Sequence, residues 1–393
     1  MFLFLSNPMK FASQIIALLS VLWLTACEPV GLSGGGTGPS INTKASVPVA
    51  LLVPGGSANT GDALLAKNLE NAARLAIADL QGVKIDLRVY NTAGNAQQAA
   101  RVAVQAVDDG AKIIIGPLYA HAANAAGVAV AGRNVNVLAF SNNTQIAGGN
   151  VFILGHTFQN TANRLVRYAK QNGRSKIMTV HARNTAGEVG RQAIANAIAK
   201  AGATQVGVGS YEFSQGGIVN AVPGIASKIR NSGAQAVFFT SDSAGALPLL
   251  TQLLPENNVD KDVIKFIGLT RWDIPYATLS LPGVQGGWFA LPSRGLSAQF
   301  NNRYSAAFGS SPHALASLSY DGIAAIGALV KAGKSNALTK SALTQGSGFI
   351  GANGIFRLRA DGTNQRGLAV AQIQNNQIVV IDAAPRSFGG AGF

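Results

Sequence analysis

The first half of the chain alternates continuously apolar runs with segments of helical periodicity. Residues 47–53 are apolar throughout, as in a central strand of a parallel sheet, and Pro54-Gly55-Gly56 interrupts them. The pattern predicts strands at 47–53, 83–90, 111–115 and 135–140, and helices at 61–80, 96–109 and 118–131. Strands and helices that alternate with short connections favour a parallel sheet covered by helices on both faces.

A second series of the same kind follows, so that the fold class is α/β with two doubly wound, Rossmann-like units. Predicted helices are 158–171, 186–200, 218–231 and 244–254, and predicted strands are 176–181, 204–211, 236–240 and 263–268. A crossing strand at 286–292, helices at 296–308 and 313–332, and strands at 355–358, 368–373 and 377–381 complete the pattern. A length of 393 residues is consistent with two such units.

The N-terminus has the pattern of an export signal. Lys10 precedes an apolar run that is too short to span a membrane, and the run ends in Leu24-Thr25-Ala26-Cys27. These four residues resemble the lipobox of bacterial lipoproteins, which implies a signal peptide at 1–27 and a lipid on Cys27; the alternative is an ordinary signal peptide. Glu28 favours the outer over the inner membrane. The Gly-rich segment 28–46 is predicted to be a flexible tether.

Charge and cysteine content narrow the possible functions. The formal net charge is +14, but the basic residues are scattered, and an exported protein meets lipid and cell wall rather than nucleic acid. Nucleic acid is therefore not an expected partner. The basic residues are expected to form a solvated face, or a face toward the cell wall or a protein partner. Cys27 is the single cysteine, which excludes an intrachain disulfide and a thiolate metal cluster.

Catalytic motifs are weak. The four histidines have no zinc-binding spacing, the G-x-S-x-G at 31–35 lacks a strand before it, and the G-x-G-x-x-G at 346–351 precedes a strand instead of a helix. We therefore expect no catalytic residue, no metal and no cofactor, and the protein is predicted not to be an enzyme. A hydrolase stays a remote alternative that would require a cluster of Ser, His and Asp.

Polar loops follow several predicted strands, and these are the candidate binding residues. Parallel strands present their carboxyl ends at one edge, where α/β folds bind ligands, and the free amides of a helix N-terminus favour an anion. An Arg beside a Trp adds a carboxylate clamp and a stacking surface. The alternative for each loop is an ordinary helix cap or turn. The candidates are Tyr119, Ala120, His121, Ser141, Asn142, Asn143, Thr144, Ser241, Asp242, Thr270, Arg271 and Trp272.

The chain resembles type I periplasmic binding proteins of the leucine/isoleucine/valine group in four segments. They occur in the same order as in that group, at 49–54, 116–118, 137–141 and Ser319-Tyr320-Asp321-Gly322. This resemblance covers about 47–381 and implies two lobes joined by three crossovers. Lobe one is predicted to comprise 47–153 plus 290–348, and lobe two 154–289 plus 349–383.

The resemblance also implies roles for individual residues. Tyr119, Ala120, Ser141, Asn143 and Thr144 stand where amino-acid binders of this group grip the carboxylate and amine. The sequence departs from this group at three places. The aromatic residue that usually precedes a Gly in the second lobe is Ala186 here, before Gly187, and Ala120 stands where a hydroxyl is common. Arg271 and Trp272 occupy a loop where an acidic residue often meets the ligand's amine.

Segments 115–118 and 136–139 are also similar to the lipoprotein activators of penicillin-binding proteins. Two functions follow. One is a receptor for an ABC importer that binds a small polar ligand, amino-acid-like or derived from the cell wall, with an ABC permease as partner. The other is an activator of peptidoglycan synthesis with a penicillin-binding protein as partner. Both place the protein in the periplasm, anchored to a membrane.

Overall fold

The computed structural model describes residues 38–389. The predicted signal peptide 1–27, its lipidation site Cys27 and residues 28–37 of the predicted tether lie outside the described residues. In the described part, no helix is long and apolar enough to cross a bilayer.

The first sheet has the strand order β2-β1-β3-β4-β5, with all neighbours parallel. Its strands are β1 (Val47–Val53), β2 (Ile85–Asn91), β3 (Ile113–Ile115), β4 (Asn136–Ala139) and β5 (Val151–Ile153). The helices between them are α1 (Thr60–Asp79), α2 (Ala96–Asp108) and α3 (Ala120–Val130). Successive residues of β1 point to opposite faces, so Leu51 packs into one core and Leu52 into the other. Helices therefore cover both faces.

The second sheet has the order β15-β14-β10-β9-β8-β6-β7. Its strands are β6 (Lys176–Ala182), β7 (Thr204–Tyr211), β8 (Ala236–Phe239), β9 (Lys265–Gly268), β10 (Trp288–Leu291), β14 (Ala369–Gln374) and β15 (Gln377–Asp382). The helices are α4 (Phe158–Gln171), α5 (Thr185–Ala201), α6 (Gln215–Asn231) and α7 (Leu247–Glu256). The β10–β14 and β14–β15 pairs are antiparallel, and all other neighbours in this sheet are parallel. Phe238 and Phe239 of β8 enter cores on opposite faces, as in the first sheet.

The remaining elements return to the first sheet. They are α8 (Arg294–Phe308), α9 (Ala316–Lys331), α10 (Lys340–Leu343) and a three-stranded antiparallel sheet of β11 (Phe349–Gly351), β12 (Gly354–Leu358) and β13 (Asn364–Arg366). Ile323 and Ile326 of α9, and Phe349 and Phe356 of the small sheet, pack into the core beneath β1. We therefore call the first sheet with these elements lobe one, and the second sheet with its helices lobe two.

The structure differs from the predicted lobe boundaries at two points. The second crossover follows Leu291 instead of preceding residue 290, because all four residues of β10 pair with β14 in the second sheet. The third crossover lies near residue 367 instead of 349, because β11 to β13 pack on lobe one. β11 and β13 have three residues each and β12 has five, and strands this short carry no periodicity that could assign them to either lobe.

The described part of the predicted tether, residues 38–46, packs against lobe one. Ile41 is buried in the core, and its amide donates to the Ser335 carbonyl at 2.8 Å. The Gly38 amide donates to Asn134 Oδ1 at 2.6 Å, and the Asn134 side-chain amide returns a hydrogen bond to the Gly38 carbonyl. Residues 38–46 therefore belong to lobe one and not to the predicted flexible tether, because Ile41 is buried and Gly38 and Ile41 hydrogen-bond to lobe one.

Helix starts are set by local side-chain chemistry. Asn59, Asn95, Thr157, Asn184 and Ser214 each accept a hydrogen bond from a backbone amide in the first turn of the helix that follows. These caps orient the helices at the carboxyl edges of both sheets, where the strand-end loops lie.

Candidate functional site

A cavity of about 660 Å³ lies where the two lobes meet, beside the crossovers. Lobe two contributes the loop after β9 and the start of α4, and lobe one contributes α8 and the loop before α9. Its polar lining includes His156, Arg271, Asp273, Arg294, His313 and Asn353. The volume lies in the range of about 300–1,000 Å³ that small-molecule sites occupy.

Arg271 and Asp273 form the charged centre of this lining. Arg271 Nε donates to Asp273 Oδ1 at 2.5 Å, and Arg271 Nη2 donates to Asp273 Oδ2. The Asp273 side chain is 8% exposed and the Arg271 side chain 38% exposed, so the carboxylate lies beneath the guanidinium. Arg271 Nη1 donates no hydrogen bond within the described part of the chain, which leaves one face of the guanidinium for a ligand.

Asn353 supports the lobe-one side of the cavity. Its side-chain oxygen accepts from Ser297 Oγ at 2.8 Å, and its side-chain amide donates to Ser317 Oγ at 2.8 Å. The Asn353 carbonyl also accepts the Ser293 amide at 3.0 Å. The loop between β11 and β12 thereby holds the starts of α8 and α9 together, which fixes this wall of the cavity.

His156, in the crossover between β5 and α4, is a neutral side chain in the cavity. Its ring is reached by solvent from the cavity but is surrounded by protein, and loss of bulk water lowers its pKa to about 3. The nearby cations Arg366 and Arg271 act in the same direction. An uncharged imidazole can both donate and accept a hydrogen bond toward a polar ligand.

This pKa predicts a pH effect on stability. The folded pKa lies below the ordinary value of 6.5, so the unfolded chain binds a proton at His156 that the folded chain does not, and stability falls as the pH drops from 6.5 toward 3. Replacing His156 with Gln should make the loss of unfolding free energy between about pH 7 and about pH 5 smaller, as measured by urea denaturation. Equal losses in the two proteins would contradict the lowered pKa.

The predicted residues after β3 point toward neighbouring loops of lobe one. Tyr119 donates its hydroxyl to Asp62 Oδ1 at 2.5 Å, and this bond is the main reason why the pKa of Tyr119 is raised. His121 stacks on Tyr119 with ring centroids 5.8 Å apart, and its Nε2 lies 2.8 Å from the Gly94 carbonyl. Ala120 is the first residue of α3. Tyr119 thus contacts the first turn of α1 and His121 the loop before α2, and none of the three residues lines the cavity.

The predicted residues after β4 form a self-contained turn. Ser141 Oγ accepts the Asn143 amide at 3.1 Å, and Asn143 Oδ1 accepts the Gln145 amide at 2.9 Å as the cap of the 3₁₀ helix Thr144–Ile146. Ser141 is buried, whereas Asn142, Asn143 and Thr144 are exposed. These contacts are those of an ordinary turn, which was the alternative to a binding loop, and none of the four residues lines the cavity.

The predicted residues after β8 and β9 hold two loops of lobe two together. Thr270 Oγ1 donates to the Ser241 carbonyl at 3.2 Å, and the Asp242 carbonyl accepts the Leu247 amide at 3.2 Å at the start of α7. Tyr211, which was not among the predicted residues, is fully buried and lies beside Ser241. Burial raises the pKa of Tyr211 to about 12, and the Ser241 hydroxyl opposes this shift.

Trp272 does not offer the stacking surface that the sequence suggested. Its side chain is 0% exposed and lies in the core of lobe two, where its ring centroid is 6.5 Å from that of Phe239. Arg271 and Trp272 leave the loop in opposite directions, so the first reaches the cavity and the second does not. Of the predicted ligand-binding residues, Arg271 alone lines the cavity.

His156, Asp273, Arg294, His313 and Asn353 are lining residues that the sequence reasoning did not assign to the site. Asp273 had a sequence signal, because it follows Arg271 within the same strand-end loop. The others reach the cavity from crossovers and distant loops, and no local pattern marks them. Within residues 38–389, no group of three or more His, Cys, Asp or Glu could hold a metal ion.

Sequence comparisons agree with this architecture. A family profile described as periplasmic binding protein matches residues 46–377. An uncharacterized protein of Rickettsia prowazekii is 24% identical over 269 residues, which cover 67% of this chain and 70% of the relative.

Solved structures share the fold at low identity. A branched-chain amino acid ABC transporter periplasmic ligand-binding protein from Burkholderia xenovorans has a TM-score of 0.66 at 18% identity, covering 88% of this chain and 97% of that one. An ABC transporter substrate-binding protein from Desulfitobacterium hafniense in complex with Leu has a TM-score of 0.61 at 16% identity, covering 86% and 100%. A solute-binding protein of an ABC transporter from Rhodopseudomonas palustris, in complex with 3,4-dihydroxybenzoic acid, has a TM-score of 0.55 at 18% identity, covering 87% and 98%.

These structural matches confirm the predicted two-lobed α/β fold, and the family match confirms the resemblance drawn from the sequence. The chain belongs to the periplasmic binding protein family.

Proposed function

We propose that this protein is the substrate-binding receptor of an ABC importer and that it captures a small polar ligand between its lobes. The observation that carries the proposal is the cavity of about 660 Å³ at the lobe boundary, with Arg271 and Asp273 side by side in its wall. Family membership implies a periplasmic location. Two lobes on three crossovers are suited to hinge closure around a ligand.

The charges of the wall favour a ligand that carries both a carboxylate and an amine. The Arg271 guanidinium can bind a carboxylate through its remaining nitrogen. The Asp273 carboxylate lies beneath Arg271, and its negative charge favours an ammonium group at that side of the cavity. His156 stays uncharged and supplies a hydrogen bond in either direction. An amino acid, or an amino-acid-containing fragment of the cell wall, meets these requirements, whereas a simple cation would be repelled by Arg271 and Arg294.

The test is a melting-temperature screen followed by calorimetry. The panel contains leucine, glutamate, meso-diaminopimelate and 3,4-dihydroxybenzoate, and one compound should stabilise the protein by about 2.7 kcal/mol at a hundred times its Kd. Replacing Arg271 with Gln should weaken that compound about tenfold or more, because a charge-assisted hydrogen bond is lost.

Arg183→Gln is the matched control, since Arg183 is an exposed arginine of lobe two that pairs with Glu212 and does not line the cavity. The control should bind like the unaltered protein. If no panel compound and no molecule retained on purification binds, the receptor function is wrong; equal weakening in both variants would remove Arg271 from the site.

The activator of peptidoglycan synthesis stays a prediction from sequence resemblance. It differs from the receptor in its expected result: no small molecule would bind, and a bifunctional penicillin-binding protein would be recovered in a pull-down from membranes. The lipid anchor at Cys27 also stays a prediction, since that residue lies outside the described part of the chain.

A further inference from the structure

We propose a second binding site, on the outer surface and separate from the interlobe cavity, that takes a phosphate group or another compact anion with several charges. The site is a pocket of about 350 Å³ with no lining residue in common with the larger cavity. Its lining is Arg167, Lys200, Arg357, Arg359, Gln365, Phe388 and Gly389.

The pocket concentrates positive charge without compensation. Four of its lining residues are cations, none of its described lining residues is acidic, and none of the four cations forms an ion pair with a described residue. Partial burial lowers the pKa of Lys200, and the neighbouring Arg359, Arg167 and Arg357 lower it further. Like charges held together in this way repel one another unless an anion is bound.

One acidic side chain lies near the edge of the pocket. Burial opposes a lowering of the pKa of Asp361, but hydrogen bonds from Thr363 and the positive charge of Arg359 outweigh it and lower this pKa. Asp361 Oδ1 already accepts the amide and the hydroxyl of Thr363, at 2.9 Å and 2.6 Å. It therefore offsets part of the charge of one cation and leaves the other three unmatched.

The pocket is built rather than formed by mobile surface chains. Arg357 donates to Gln365 Oε1 through Nε at 3.1 Å and Nη2 at 2.8 Å, and to the Gly346 carbonyl through Nη1 at 3.1 Å. Its guanidinium carbon lies 4.6 Å from the centre of the Phe388 ring. These contacts hold a fixed cation at the wall of the pocket.

Arg167 has a buried nitrogen without a partner in the described part of the chain, which is a second indication that the pocket binds a ligand. Its Nη1 is buried and has no hydrogen-bond partner among the described residues. An unsatisfied buried donor is destabilising, and more so when it is charged, and an anion oxygen in the pocket would satisfy it. Arginine and lysine side chains that converge on a compact pocket match the oxygens of a phosphate group.

The pocket also spans the two lobes. Arg167 lies on α4 and Lys200 on α5, both of which pack on the second sheet, whereas Arg357 and Gln365 lie on the small sheet that packs on lobe one. A bound anion would contact both lobes at once and would stabilise their mutual orientation. This inference does not depend on the identity of the ligand in the interlobe cavity.

Phosphate groups reach a periplasmic protein in two forms, as free phosphorylated molecules and as lipid headgroups. The experiment uses the full chain carrying Cys27→Ser, so that no lipid can be attached to it. Inorganic pyrophosphate is titrated by calorimetry at constant ionic strength. Vesicles of phosphatidylglycerol are tested by flotation against vesicles of phosphatidylcholine.

The test variant is Lys200→Gln with Arg359→Gln, because both side chains are exposed and their loss should leave the fold intact. The control is Lys67→Gln with Lys84→Gln, which removes the same charge from exposed positions outside the pocket. Pyrophosphate should bind saturably to one site, and the test variant should weaken it about tenfold or more while the control leaves it unchanged.

Binding to phosphatidylglycerol vesicles that the test variant alone loses would support the site with a headgroup as ligand. Pyrophosphate binding without such vesicle binding would support it with a soluble ligand. If neither probe binds saturably, or if both variants weaken binding equally, the attraction is general to a basic protein and the proposed site is wrong.

Discussion

Replacing Arg366 with Met is expected to lower the free energy of unfolding by about 3–5 kcal/mol, the usual cost of removing one partner of a buried ion pair. Arg366 Nη1 donates to Asp321 Oδ2 at 2.8 Å, and the two side chains are 3% and 0% exposed. Burial raises the pKa of the Asp321 carboxyl, and the Arg366 guanidinium opposes that rise. Without the guanidinium, the carboxyl must either keep an uncompensated buried charge or bind a proton.

The location of this pair adds to its effect. Arg366 ends β13, Asp321 lies on α9, and Arg366 Nη2 also donates to the Leu154 carbonyl at the end of β5. Asp321 Oδ1 accepts the Ala352 amide at 2.8 Å. The pair thus joins the first and third crossovers to a core helix of lobe one, so its loss should loosen the segments on which the lobes are hinged.

Urea denaturation of the unaltered protein and of Arg366→Met measures this effect. Arg74→Met is the matched control, because Arg74 pairs with Glu70 on an exposed helix face and its side chain is 53% exposed. The control should lose less than about 1 kcal/mol. A loss of that small size in Arg366→Met would show that the buried pair contributes no more than a surface one.

Replacing Trp272 with Ala is expected to destabilise the protein by about 3–5 kcal/mol through the cavity that the missing indole leaves. The ring is enclosed by backbone on two sides. A Cβ on Gly268 would lie 2.1 Å from its Nε1, and a Cβ on Gly287 would lie 2.3 Å from its Cζ3. Trp272 therefore fills a slot between β9 and the start of β10 that only two glycines leave open.

Two further variants separate packing from ligand binding. Trp272→Phe keeps much of the apolar contact and should lose clearly less stability than Trp272→Ala. Tyr276→Ala removes a nearby aromatic that is 65% exposed and should change the unfolding free energy by less than about 0.5 kcal/mol. If Trp272→Ala left stability unchanged while abolishing ligand binding, the core position of Trp272 would be contradicted.

The periodicity of the sequence was sufficient for most of the framework. The strand at 47–53 and the helix at 158–171 have the predicted bounds, because a fully buried strand and an amphipathic helix each repeat a signal over many residues. The strands at 349–351 and 364–366 were not predicted individually, since three residues contain no repeat. Their assignment to lobe one depends on contacts with residues far away in the chain.

The candidate site was less predictable than the framework. Arg271, which lines the cavity, was among the predicted residues because it lies in a strand-end loop, and the topology of parallel sheets brings such loops to one edge. Tyr119 and Ser141 lie in loops of the same kind, but hydrogen bonds to Asp62 and to the Asn143 amide turn them to local roles. Which way a loop side chain points is decided by the partners nearest to it. These can be distant in sequence, as Asp62 is from Tyr119, or within the same turn, as Asn143 is for Ser141.

The sequence by itself determined the fold class, the family and the position of the strand-end loops, because these depend on local periodicity and on ordered motifs. The tertiary structure alone decided that Trp272 is a core residue while Arg271 reaches the cavity, since adjacent residues of one loop faced different neighbours. It also brought together four cations from α4, α5 and the small sheet, whose numbers from 167 to 359 give no sign that they share a pocket. Packing brings such residues together, and packing is a property of the whole chain.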